Sequence, residues 1–173
     1  MPITPAYALH MDLPEDKRAG YYAQIVKGLA GRTRLLDREK ETLIFASVQE
    51  REAAVPVMEQ YKVPFELEDL LCLPSPLRLS PLFTDYGFVS RLEHAYLPSA
   101  LPAVFRLEPD PGAGRPAEPR QAELQLQEHL LADWSGEYGE KAYAVQAHQA
   151  GLAGGIARAY GCRAVWLYLP REE

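Results

Sequence analysis

The sequence predicts an α+β protein in which a mainly antiparallel sheet carries helices on one face. Three observations predict it. Tyr7, Leu9, Met11 and Leu13 alternate with Ala8, His10 and Asp12; Tyr22, Ile25, Val26 and Leu29 recur at helical spacing; and Ser47-Val48-Gln49-Glu50 matches a capping box. A period of two splits side chains between the faces of a strand, whereas a period near 3.6 gathers them on one stripe of a helix. The capping box marks a helix start because its serine and glutamate satisfy orphan amides reciprocally.

In chain order, the first alternation gives a strand over residues 6–13. Pro14 suits a first helical position, and Glu15 and Asp16 set negative charge at the positive end of the helix dipole. The helix runs over 14–30 and Gly31 stops it. Gly20 and Gly28 each cost about 1 kcal/mol relative to alanine, so this helix needs tertiary packing. Residues 34–37 and 42–48 flank Arg38-Glu39-Lys40-Glu41 as a hairpin with a polar turn, and Leu43-Ile44-Phe45-Ala46 is apolar enough for a central strand. A helix follows over 49–61, kinked or restarted at Pro56, which supplies no amide hydrogen. Val63, Phe65 and Leu67 alternate again as a further strand. The order strand, helix, hairpin, helix, strand is loosely ferredoxin-like in this first third.

Prolines punctuate the middle. Leu73-Pro74-Ser75 through Pro81 is echoed by Leu97-Pro98-Ser99 through Pro109, an echo that chance explains in a Leu- and Pro-rich chain because no period continues. Residues 82–96 offer one or two strands around Gly87, and 103–107 another. The clearest break is the Pro/Gly-rich loop at 109–119. It separates a larger N-terminal part from a C-terminal helix–helix–strand part, within a single domain spanning 1–173. After it, Leu124, Leu130, Leu131 and Trp134 predict an amphipathic helix over 120–134. A small-residue segment over 142–160 and a strand over 163–169 complete the chain.

Composition narrows function. The chain has 173 residues, a formal net charge of -6, 47% hydrophobic residues and no asparagine, with 13 Arg to 5 Lys. Without asparagine there is no N-glycosylation acceptor, no Cys-His-Asn protease set and no Asn reader of adenine. The bias toward Ala, Leu, Pro, Gly and Arg is that of GC-rich bacterial coding. An acidic balance argues against a general phosphate-backbone binder. Cys72 and Cys162 form no CxxC pair and read as free, buried or half-buried thiols. The first residues lack the basic and apolar regions of a signal peptide, and no apolar stretch approaches about 20 residues. The expectation is a cytoplasmic protein with no membrane partner.

Four groups of residues invite a chemical reading. Ala150 to Gly161 is glycine-rich and precedes a strand, as in dinucleotide sites, but G-x-G-x-x-G does not occur. It reads as a small-residue helix packed closely on a neighbour. His129 and Asp133, at i and i+4 on the predicted helix, can meet on one face, and His148 completes a divalent-metal set if the next helix folds back. The competing reading is an exposed ion pair. His10 and Asp12, at i and i+2 on one strand face, form a candidate catalytic proton-transfer pair against the plain reading of a solvent face. Arg32, Arg34 and Arg38 are the one basic concentration and a candidate nucleic-acid contact, although interleaved acids favour a charged hairpin rim. Ten tyrosines lean toward interfaces.

These residues favour a non-catalytic module that binds a protein or small-molecule partner as a homo-oligomer, most simply a homodimer. The alternative is a small metal-dependent, hydrolase-like enzyme using His129, Asp133 and His148 with His10 or Asp12 as acid/base. A distant third is single-strand nucleic-acid binding.

Overall fold

The computed structural model describes residues 2–15 and 18–172. It is an α+β fold with two antiparallel sheets. Close contacts divide the chain into two compact units, one built mainly from residues 3–72 with 89–96, the other mainly from 73–88 with 97–173. The Pro/Gly-rich loop at 109–119 lies within the second unit, not at its boundary.

The first unit follows the predicted order: β1 (Thr4–Met11), α1 (Arg18–Leu29), β2 (Asp37–Glu39), β3 (Thr42–Phe45), α2 (Val48–Gln60) and β4 (Phe65–Cys72). Helix α1 is described from Arg18 onward, and Asp16 lies outside the described residues. The strands lie in the order β2-β3-β1-β4, with β1 antiparallel to both neighbours. This βαββαβ arrangement is compatible with a ferredoxin-like one. Leu9, Met11, Leu43 and Phe45 meet Ile25 and Leu29 of α1 and Val57 and Met58 of α2 in one core, so both helices cover the same sheet face. Ser47 caps α2, its side chain accepting from the Glu50 amide. Glu50 does not reciprocate: its carboxylate accepts from the Thr33 hydroxyl and the Arg34 amide, both at 2.6 Å, and so ties the loop after α1 to α2. Pro56 sits inside α2 without ending it. Beyond β4 the sheet continues through β7 (Ala95–Pro98) to β6 (Phe88–Val89).

The second unit contains β5 (Leu77–Leu79), α3 (Phe83–Tyr86), β8 (Pro102–Pro109), α4 (Pro119–Leu126), β9 (Leu130–Ser135), β10 (Lys141–Gln146), α5 (Ala150–Ala159) and β11 (Cys162–Tyr168). Its strands lie in the order β11-β8-β10-β9-β5. The predicted helix over 120–134 is corrected here. It ends at Leu126, passes through a 3-10 turn at Gln127–His129, and becomes strand β9. Every residue from Leu130 to Trp134 is buried, so the apolar pattern carries no single period.

From β8 onward this unit repeats the βαββαβ order of the first, and the registers repeat with it. Tyr7 opposite Phe45 recurs 98 positions later as Phe105 opposite Tyr143. Ala6 opposite Leu70 recurs, by the same shift, as Val104 opposite Tyr168. The outer hairpin matches to within one residue: Arg38 faces Leu43, and Ser135 faces Lys141. Even the ends of α2 and α5 correspond, Tyr61 and Lys62 (φ 53°) matching Tyr160 and Gly161 (φ 69°). The two units are therefore copies of one topology, unrelated to the proline echo noted in the sequence.

Candidate functional site

The correspondence makes β11 the counterpart of β4, and the two strands differ in one respect. The outer side of β4 is occupied by β7, whereas among the described residues nothing pairs with the outer side of β11. An edge strand presents a row of unpaired amides and carbonyls, which proteins ordinarily blunt with proline, lysine or a cover. Cys162–Tyr168 contains neither proline nor lysine, and Leu167 and Leu169 are about half exposed, at 49% and 51%.

Several interactions hold this edge rigid. Gly161 turns the chain from α5 into β11, and its carbonyl accepts from the Asp110 amide at 3.0 Å. Arg163 donates to Glu108 at 3.2 Å, while Glu108 also receives Arg106 at 3.0 Å. The bond from Arg163 is the main cause that lowers the Glu108 carboxyl below its ordinary range, with Arg106 adding to it. Trp166 packs against Phe105 with ring centroids 5.3 Å apart. At the far end the Tyr168 hydroxyl donates to the Ser99 carbonyl at 2.6 Å.

Beside the edge lies an open hollow of about 460 Å³, lined by Gly151, Gly154 and Arg158 of α5 and by Arg163, Trp166 and Leu169 along β11. The glycine-rich helix therefore does not pack closely along all its small residues. Ala153, Ile156 and Ala157 are buried, but a Cβ at Gly151 would meet nothing within 4 Å. Among the described residues the Arg158 guanidinium has no hydrogen-bond or ion-pair partner. A groove between an edge strand and a helix can hydrogen-bond an added strand and receive its alternate side chains. Arg163 is bonded to Glu108 and Asp110 also lines this hollow, so Arg158 is the group there that would favour an acidic one.

The residues singled out from sequence fall elsewhere. Asp133 lies on strand β9 and accepts from Arg78 at 2.9 and 2.7 Å, with its side chain largely buried. It does not share a helix face with His129, which sits in the turn before β9, and His148 is exposed in the turn before α5. Among the described residues no group of three or more His, Cys, Asp or Glu side chains is placed to hold a metal ion. His10 is on β1, but Asp12 lies past the strand end and is exposed. Its place beside His10 is taken by Thr42, whose hydroxyl is 2.8 Å from Nδ1, and by Glu68, whose carboxylate is 3.1 Å from Nε2. Arg32 and Arg34 are exposed, while Arg38 stacks over the Tyr22 ring at 5.7 Å.

The sequence reading did not assemble the buried polar cluster around Asp37. The Asp37 side chain is fully buried. It accepts from the Ser90 and Tyr96 hydroxyls and lies 3.3 Å from His94 Nδ1. Only the tertiary fold brings these positions together, so no local spacing could have shown it. Neither cysteine forms a disulfide. Burial, above all, pushes the Cys72 thiol up from its ordinary value, which leaves it a poor nucleophile.

Comparison with known proteins finds no matching family model, no matching curated protein and no matching solved structure. No helix among the described residues is long and apolar enough to cross a membrane.

Proposed function

We propose that the protein is a non-catalytic binding module that takes up an extended polypeptide strand along the outer side of β11. The observation that carries the reading is the unpaired edge itself, next to a hollow that holds Arg158, Arg163 and Trp166. Backbone hydrogen bonds along the edge supply affinity, and the hollow selects side chains of the incoming strand. The remaining strong polar groups support the same reading, because they satisfy one another. Asp133 is held by Arg78, Glu123 by Lys141 and Tyr143, and Asp37 by Ser90 and Tyr96.

The test uses a synthetic peptide copying Arg163 to Glu172, added in excess, with amide hydrogen exchange as readout. The expected result is slowed exchange at alternate amides of β11, abolished when the peptide carries proline at its central positions. Fast exchange along β11 that stays fast with every peptide tried, including one alternating valine and glutamate, would sink the reading.

One observation favours a second, catalytic reading. Thr42, His10 and Glu68 form a hydroxyl–imidazole–carboxylate chain, in which the imidazole could accept the Thr42 proton while Glu68 fixes its orientation. Incubation with a p-nitrophenyl ester tests it. A burst of nitrophenol with an acyl adduct on Thr42, lost in His10→Ala, would establish the chemistry; equal slow hydrolysis by wild type and His10→Ala would end it.

A further inference from the structure

We propose that the strand seated on β11 is β11 of a second copy, laid antiparallel across a two-fold axis, with Glu172 of each copy facing Arg158 and Arg163 of the other. The proposal rests on the strand-uptake reading and adds the identity of the occupant.

Three observations lead to it. First, an antiparallel pairing of one strand with itself is self-complementary, so closing the edge demands no second surface. It would occupy the open side of β11 as β7 occupies the open side of β4. Second, the exposed apolar groups follow the edge. Leu167 and Leu169 lie on or just beyond β11, and Leu152, 47% exposed, is on α5 next to Gly151. A two-fold contact covers each of them twice.

Third, the charges choose the direction. The sequence beyond β11 runs Leu169-Pro170-Arg171-Glu172-Glu173, and Arg163 stands at the opposite end of the strand. Antiparallel pairing carries the acidic tail of one copy past Arg163 and Arg158 of the other. Parallel pairing would set Arg163 beside Arg163 and tail beside tail, an arrangement of like charges. Arg171 on the same segment offsets part of this attraction, so the direction is carried by Glu172 meeting Arg158, the guanidinium without a partner among the described residues. Arg158, with no partner among the described residues, gains one.

Sedimentation velocity over a concentration series tests the proposal, using wild type, Arg158→Glu, Glu172→Arg and the double variant. Circular dichroism confirms that each is folded. The expected result is a concentration-dependent dimer in wild type. Each single reversal weakens it by about fivefold, in line with exposed charge pairs, and the double reversal restores it. A dimer indifferent to both reversals, with β11 amides still exchanging freely, overturns the proposal. A monomer at every concentration also overturns it. In that case the peptide experiment separates the two ideas: protection of β11 by a foreign strand leaves strand uptake standing, and no protection removes both.

Discussion

Tyr96 donates its hydroxyl to the buried Asp37 carboxylate at 2.8 Å. The same oxygen receives Ser90, and the other accepts from the Arg38 amide at 2.8 Å. The carboxylate therefore joins β2 to the turn between β6 and β7. Asp37→Ala removes the acceptor that two buried hydroxyls share, and a buried polar group that loses its partner costs about 1–3 kcal/mol. The expected loss in urea denaturation is about 3 kcal/mol, larger than for Asp37→Asn, which retains an acceptor oxygen. Equal losses for the two variants would mean that the cavity, not the hydrogen bonds, matters.

The Ser47 cap and the Glu50 carboxylate make separable contributions to α2. Ser47→Ala removes the acceptor for the Glu50 amide and should cost about 1 kcal/mol, independent of pH across the carboxylate range.

Glu50 behaves differently under acid. The hydrogen bond from Thr33, and next the Arg34 amide, hold its carboxyl below the ordinary value of 4.5. A carboxylate lowered on folding contributes stability that is complete above its ordinary range. That stability is lost as pH falls through the lowered value. Wild type should therefore exceed Glu50→Gln in Tm at pH 7, and the gap should narrow as pH falls below the ordinary carboxylate range. A gap that does not change with pH would show that the charge takes no part.

The native thiols should be slow. Burial raises the Cys72 thiol, and Cys162 is fully buried with its Sγ 3.5 Å from the Tyr160 carbonyl oxygen. Titration with an aromatic disulfide reagent at pH 8 should proceed slowly in buffer and rapidly, at both sulfurs, in concentrated urea. Rapid native reaction at Cys72 would contradict the burial assigned to it.

The elements most legible in the sequence were those with one clean period. The alternation around Leu9 gave β1 to within two residues at each end, and the serine and glutamate of the capping box placed the start of α2 to within one. Glu50 nonetheless turned to Thr33 and Arg34, a choice set by the packing of the preceding loop. Misreading came where both faces are buried. Leu130, Leu131 and Trp134 fit a helical stripe, yet Leu130, Ala132 and Trp134 fit a strand equally well, and pattern alone cannot arbitrate. That one error created the His129/Asp133 pairing. The duplication was hidden because matched positions share only coarse character. Tyr7 corresponds to Phe105, but Ala8 corresponds to Arg106 and His10 to Glu108. The groove at β11 stayed invisible because an edge is a property of the sheet, not of the strand that forms it.

Two glycines of the second unit should respond oppositely to alanine. Gly161 has φ +69°, and a Cβ there would lie 2.5 Å from the Pro116 carbonyl oxygen. Its counterpart Lys62 adopts a similar φ of 53° with a full side chain, so the conformation alone is tolerable to this topology. The close approach of the 109–119 loop is what demands glycine. Gly161→Ala combines the left-handed penalty of about 1 kcal/mol or more with a backbone clash, for an expected loss of about 2–4 kcal/mol. Gly155 lies inside α5 with ordinary helical geometry, and a Cβ there meets only the tip of Arg158, at 3.9 Å. Gly155→Ala should therefore stabilise by about 0.8–1 kcal/mol through helix propensity. Guanidinium chloride denaturation of both variants decides the matter. A destabilised Gly155→Ala would mean that the Arg158 side chain needs the space over that helix turn, and a neutral Gly161→Ala would mean that the loop yields to it.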